Sequence, residues 1–420
     1  MRGLRPGRAG APGRVAGGAA AVPLRRNRDF LLLQGGQLLS AGGSEATGIV
    51  YPLLVLALTG SPAQAGLVSF ARILPAALFG LPAGLVADRL DRRAVMLAAD
   101  GVRALAAAAL AAAILLDRVA FWEILAVGFV EGAGSAFFRP AAAGALRSVV
   151  PTAQLPAAAG AQQARVAAVV IAGPPLGGAL FGLGRAVPFL VDAASYAFSV
   201  VSLLWMRTPF QEARAVDRAS LRARVAEGVR FLWHEPFIRT TTFLYGLSNF
   251  IGPGVLLVVV VVGDRQGLSS GAIGLLLASF GVGVLAGSLA SPLFRRALST
   301  RAILLLELWT WLGSFLFVFE PDVYVLAASI LPSAIAIPVT DSVVIGHRLA
   351  ITPDRLVGRV ESVRSTLALL IAPLGPLTAG LLLGTVSARA TVAVFAGLGL
   401  VLALWGTLSP AIRQAPALPA

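Results

Sequence analysis

Glu45 stands in a long run of leucine, alanine, glycine and valine, with Gln37, Ser44 and Thr47 as its polar company. A charge near the middle of a bilayer costs at least ~2.5 kcal/mol unless it is paired or hydrated. A carboxyl kept there has two uses: to take up and give back a proton, or to pair with an arginine. Glu131, Ser135 and Arg139 recur at i, i+4 and i+8, which sets all three on one helical face that lipid will not accept. On that face Arg139 serves either to orient an anionic group and partner Glu45 or Glu131, or simply to make a packing ion pair. Asp341, between Thr340 and Ser342, is a third acid in an apolar run, while Asp192 and Glu307 stand alone in two others. Asp100 and Arg103, at i and i+3, read as a structural pair. Glu45, Glu131 and Asp341 are therefore the proton-exchange candidates.

Other chemistries find little support. The chain has no cysteine and two histidines, His234 and His347, so a disulfide framework, thiol chemistry and a metal site are not expected. All 34 basic residues are arginine, and no G-x-x-x-x-G-K-[ST] occurs, which argues against ATP as the energy source. Asp88 with Asp91 is a close acid pair in a loop. No enzyme is read here.

The elements that must hold these side chains are membrane spans. Of 420 residues, 57% are apolar and 13% charged, far below the ~25% charge of a soluble fold. About twelve apolar runs recur near 30–57, 66–87, 95–115, 121–146, 162–184, 187–206, 238–262, 271–293, 302–319, 323–346, 360–383 and 387–409. The net charge of +14 follows the membrane rather than nucleic acid. Arginine crowds the segments on the side of the two termini, whereas the opposite loops keep only Arg118, Arg185, Arg265 and Arg389. Both termini are expected in the cytoplasm. The reading is an all-α integral membrane protein with a disordered basic arm over 1–27, a six-helix half over 28–206, a cytoplasmic linker over 207–236 with an amphipathic pattern at Leu221, Val225, Val229 and Leu232, a second six-helix half over 237–409, and a tail over 410–420. An internal repeat supports the division: Gly80, Gly84, Arg92 and Arg93 fall on Gly283, Gly287, Arg295 and Arg296, and Gly173, Pro174 and Gly178 on Gly375, Pro376 and Gly380.

The stretch Gly80-Leu-Pro-Ala-Gly84-Leu-Val-Ala-Asp88-Arg89-Leu-Asp91-Arg92-Arg93 resembles the signature between spans two and three of major facilitator transporters, G-x-L-x-D-R-x-G-R-R. Asp91 replaces its second glycine, which predicts a helical loop there, and Ser291 replaces the aspartate in the second half. Gly173-Pro174-Pro175-Leu176-Gly177-Gly178 resembles the G-P-x-x-G-G core of a motif found in exporters of this class. Leu58 to Pro62, Glu227 to Trp233, Gly281 to Gly287 and Pro353 to Val360 are similar to the branch holding enterobactin exporters and macrolide efflux pumps.

The resemblance implies the major facilitator fold of two six-helix halves, with spans one, four, seven and ten lining the cavity. It implies that Asp88 accepts hydrogen bonds near Gly358 to Val360, at the start of span eleven, in one conformation only. The implied function is secondary export, by proton antiport, of a hydrophobic or amphipathic small molecule such as a macrolide-like antibiotic, drug or siderophore. It would run without a cofactor, on an ion gradient, as a monomer in the bacterial plasma membrane. On the cavity helices, Gln34, Gln37, Tyr51, Phe137, Phe138, Arg139, Tyr245, Asn249 and Phe250 are the substrate-contact candidates. A non-transporting sensor or lipid-handling protein on the same scaffold, or an importer, is the alternative.

Overall fold

The computed structural model of the chain describes residues 23–210 and 221–415. Most of the arm expected over 1–27, residues 211–220 of the expected linker and the end of the expected tail lie outside the described residues. Among the described residues, twelve helical segments are long and apolar enough to cross a membrane. The first six are α1 (Arg28–Thr59), α2 (Pro62–Arg89), α3 (Arg92–Leu115), α4 (Phe121–Val149), α5 (Leu155–Leu183) and α6 (Val187–Trp205). A shorter, more polar helix, α7 (Leu221–His234), precedes α8 (Pro236–Arg265) and α9 (Ser270–Ala297). The ninth span joins α10 (Thr300–Thr310) through a 3-10 segment to α11 (Leu316–Phe319). After α12 (Val323–Ile351), the eleventh span is split into α13 (Asp354–Ile371) and α14 (Leu374–Thr385), and α15 (Ala388–Leu408) is the twelfth.

Local chemistry explains the boundaries. Asn27, Ser61, Ser269, Ser299 and Ser387 each accept a hydrogen bond from a backbone N–H in the first turn that follows. Asp91 does the same for α3, its Oδ1 lying 2.7 Å from Ala94 N, so the expected helical loop is instead a tight break between α2 and a capped α3. Pro373 lacks an N–H and would clash with the preceding turn, and there the eleventh span divides. The sequence pattern placed that span at 360–383; it begins six residues earlier, because polar Asp354 to Arg359 form its first turns.

Helices α1 to α6 pack on one another, as do α8 to α15, and the two groups meet along α5 with α9 and α2 with α14. The face that carries Arg28 and α7 will be called the linker face. Away from it, Ser270 Oγ at the start of α9 donates to Gly178 O near the end of α5 at 2.7 Å. On the other side Gly66 of α2 and Gly380 of α14 touch backbone to backbone: a Cβ on Gly66 would stand 2.6 Å from Pro376 O. Neither contact tolerates a side chain, so glycine is what lets the groups meet here. At the linker face they part. A cleft of about 540 Å³ separates Gly80, Gly84 and Asp88 of α2 from Gly358, Arg359 and Thr366 of α13, with Val225 of α7 on its edge.

Candidate functional site

Between the halves, beneath the far-face contacts, lies a chamber of about 320 Å³. Its walls are mostly apolar: Ile49 and Pro52 of α1, Val170 and Pro174 of α5, Leu256 and Val260 of α8, and Phe280 of α9. Two charged side chains reach it, Glu45 of α1 and Arg72 of α2, with the buried Tyr51 behind them. Glu45 is half-buried, and among the described residues nothing is hydrogen-bonded to or ion-paired with it. Arg72, on the same chamber, lies within its electrostatic reach.

Arg72 is held from behind. Its Nη2 donates to the Ser44 carbonyl, its Nε lies 3.9 Å from Glu131 Oε2, and its guanidinium rests 5.8 Å from the centre of the Tyr51 ring. Gly48 leaves the space for it, since a Cβ there would be 3.2 Å from Arg72 Nη1. Glu131 is 2% exposed and also feels Arg103 and Asp192. Arg103 organises the deeper layer: Nη1 donates to Asp100 Oδ1 at 3.0 Å, Nη2 to Ser44 Oγ at 2.6 Å and to Tyr196 Oη at 2.7 Å, with the Tyr196 ring 4.0 Å beneath it. Asp192 accepts from Thr47 Oγ1 at 3.1 Å and from Ser195 Oγ at 3.3 Å. Five helices thus converge on one buried network.

Its charges do not cancel. Asp100, Glu131 and Asp192 face two guanidiniums, Arg72 and Arg103, and all but Arg72 are at most 5% exposed. Buried charge is tolerated when paired, so the network is neutral when it holds one proton. Asp192, read from the sequence as a lone acid, belongs to it. Glu131 pairs with Arg72, while Arg139, expected as its partner or that of Glu45, is exposed.

The remaining candidates sit elsewhere. Gln34 and Gln37 lie toward the linker end of α1. Phe137 packs on Phe79 at 5.6 Å, and Phe138, expected on a cavity wall, is in a core cluster with Phe30, Leu33 and Met96. Phe250 likewise stacks on Phe395 of α15 at 5.4 Å rather than facing the chamber. Tyr245 donates to Leu304 O at 2.7 Å and Asn249 to Ala368 O at 3.4 Å. Of the nine substrate-contact candidates only Tyr51 lines the chamber. The reason is geometric: a residue's turn on its own helix says which side it is on, but not which helix lies opposite. Asp341 is exposed on α12, with Arg348 and Arg364 its nearest countercharges.

The motif residues divide by role. Asp88 and Arg89 are exposed, Asp88 on the cleft opposite Gly358 and Arg359; the expected hydrogen bonds to that helix start are not made in this conformation. Arg92 donates to Ala87 O and Phe210 O, and Arg93 to Met206 O while lying over the Phe210 ring. These two arginines tie the end of α6 to the loop. In α5, Gly173 and Gly177 press on Glu45 and Ala46 of α1, whereas Pro174 and Gly178 press on α9. One side of the motif supports the chamber and the other seals it. No group of His, Cys, Asp and Glu able to hold a metal occurs among the described residues.

A family described as transmembrane secretion effector matches residues 19–417. A multidrug efflux pump, Tap of Mycolicibacterium fortuitum, is 29% identical over 92% of this chain and 96% of its own length. Macrolide efflux protein A of Streptococcus pyogenes is 26% identical over 53% of this chain and 59% of its own. A crystal structure of a bacterial homologue of the iron transporter ferroportin in its inward-facing state superposes with a TM-score of 0.74 at 18% identity, covering 92% of this chain and 98% of that one.

Proposed function

The chain belongs to the transmembrane secretion effector family of major facilitator transporters, and on that premise we propose that it is a proton-driven exporter of hydrophobic or amphipathic small molecules. It is a multi-pass membrane protein whose substrate is a small molecule, and it performs no covalent chemistry. The observation that carries the reading is the apolar chamber, sealed by glycine contacts at the far face and walled in part by an unpaired carboxylate, Glu45.

With the arginine-rich linker face in the cytoplasm, this conformation is the one that loads substrate from inside. An unpaired carboxylate among apolar walls favours an amphiphile with a positive charge, because ion pairing away from bulk water is strong. At about 320 Å³ the chamber suits the small end of the ~300–1,000 Å³ range of ligand pockets. A larger molecule would extend into the linker-face cleft. The network behind Arg72 supports proton exchange, since its neutrality needs one proton. Protonation of Glu45 or of the Glu131 and Asp192 carboxyls would weaken the hold on a cation and favour release outside. The efflux-pump names of the relatives support the direction of transport.

The test is accumulation of macrolides and lipophilic cationic dyes in an efflux-deficient host, with and without a protonophore. Glu45→Gln is expected to reach the membrane in wild-type amount yet lose at least tenfold of protonophore-sensitive efflux. Undiminished efflux in that variant rejects Glu45 as the coupling acid.

A further inference from the structure

Glu307 lies in α10, apart from the chamber and from the network around Arg103, and is 5% exposed. Ser248 Oγ of α8 donates to its Oε1 at 2.7 Å. Trp311, one turn further along the same span and 2% exposed, donates from Nε1 to that same Ser248 Oγ at 3.2 Å. The side chain is thus the end of a short relay, Trp311 to Ser248 to Glu307, set among the buried Leu244, Leu304 and Leu308.

What is missing around it is a cation. The titratable groups that face Glu307 are Tyr245 of α8 and Asp341 of α12. Tyr245 donates its hydroxyl to Leu304 O, and Asp341 is another acid. Helix α15 carries no ionisable side chain after Arg389, and α9 none before Arg295. Among the described residues no arginine or histidine is paired with Glu307, whereas each carboxyl of the Arg72 and Arg103 network has a guanidinium within its electrostatic reach. One serine hydroxyl does not compensate a buried negative charge; the group stays where it is by being neutral.

We propose that Glu307 is a proton-binding site of the second half, which holds a proton in this conformation and gives it to water when α8 and α10 rearrange toward the state open at the far face. The O–H bond of the carboxyl breaks, the proton leaves as hydronium, and the carboxylate remains, accepting from Ser248. The proposal rests on the reading of the chain as a proton-driven exporter and adds to it a second proton, carried in the half that lacks the arginine network. Trp311 is a built-in reporter, since ionisation of Glu307 alters the hydrogen bond that its indole shares with Ser248.

The test uses the full chain in lipid nanodiscs. Tryptophan fluorescence of the wild type, titrated from acidic to alkaline pH, is expected to show a step that is absent in Glu307→Gln and in Trp311→Phe and retained in Glu131→Gln. Proton uptake on a jump from alkaline to acidic buffer is expected to fall by one proton per chain in Glu307→Gln. The glutamine keeps the shape and the hydrogen bond from Ser248, and a single symmetric elution peak verifies its fold. A step that persists in Glu307→Gln with unchanged uptake, or no step in the wild type, overturns the assignment. Protonophore-insensitive efflux of ethidium by the wild type would instead sink the exporter reading on which it stands. Proton-driven efflux together with a persistent step would sink only the site.

Discussion

Helices α2 and α9 hold equivalent places in the two halves and carry the same glycine pair, yet they use it differently. Gly80 and Gly84 have open space where a Cβ would be, because they look into the cleft at the linker face. Gly283 and Gly287 are pressed against Leu331, Ala334 and Ile335 of α12, inside their own half. The residue that follows each pair differs in the same sense. Asp88 faces the cleft without a partner, while Ser291 hydrogen-bonds Ser342 Oγ of α12 at 3.0 Å. The first copy of the motif is an edge that meets the other half; the second is a seam within one. A similar split runs through the interiors. The first half gathers three buried carboxyls, the buried Arg103 and the half-buried Arg72 in one network, whereas the second, among its described residues, buries a run of valines from Val258 to Val262, Trp311 and Phe395, with a single acid at Glu307.

That comparison can be broken, most forcefully at Arg103. Replacing it by leucine leaves Asp100 without its guanidinium and Tyr196 and Ser44 without their donor, and removal of one partner of a buried pair costs roughly 3–5 kcal/mol. Thermal unfolding in detergent should show a large drop for Arg103→Leu and a small one for Ser248→Ala in the second half. Equal losses would mean that the two interiors are not built differently.

A second test concerns the seal. Because the chain has no cysteine, a pair introduced as Ala63→Cys with Gly384→Cys reports the approach of α2 and α14 directly, the Cβ positions being 3.7 Å apart. The cross-link should form readily on mild oxidation and be lost on adding Gly380→Val, whose side chain has no room beside Gly66. Retention of the cross-link in the valine variant would show that this contact does not hold the far face shut.

The smallest effects belong to the paired motif positions. Ser291→Ala gives up one hydrogen bond within a half, a loss of about 1 kcal/mol or less. Asp88→Asn should leave thermal stability unchanged, because the carboxylate has no partner in this conformation, yet slow transport several-fold by removing the anion that meets the start of α13 when the cleft closes. A stability loss in Asp88→Asn without a transport defect would contradict the division drawn between edge and seam.

Much of this architecture was legible in the residues. Twelve spans followed from apolar length, and the signature around Asp88 was recognisable from its glycines and arginines at fixed spacing. The repeat offsets anticipated that Gly173 and Gly375 would sit in matching places: one presses on α1, the other on Phe250 and Gly254 of α8. The site was less legible. Arg72, which meets Glu131 from 59 positions away in the chain, carried no local mark beyond being an arginine in an apolar run. Asp192 looked isolated for the same reason, and Phe138 and Phe250 looked like cavity walls when they pack in or against the core.

Sequence alone determined what crosses the membrane and what must stay small, because hydrophobic length and the absence of a Cβ are properties of single residues and their near neighbours. It also marked Glu45 as costly where it stands. Only the tertiary structure decided which charges meet, since Arg72, Arg103, Asp100, Glu131 and Asp192 come from four different helices. Only the packing of the two halves decided that Glu45 is left unpaired at the chamber and Glu307 unpaired in the second half's core. Pairing is a relation between helices, and helical periodicity fixes a direction without naming the neighbour that lies along it.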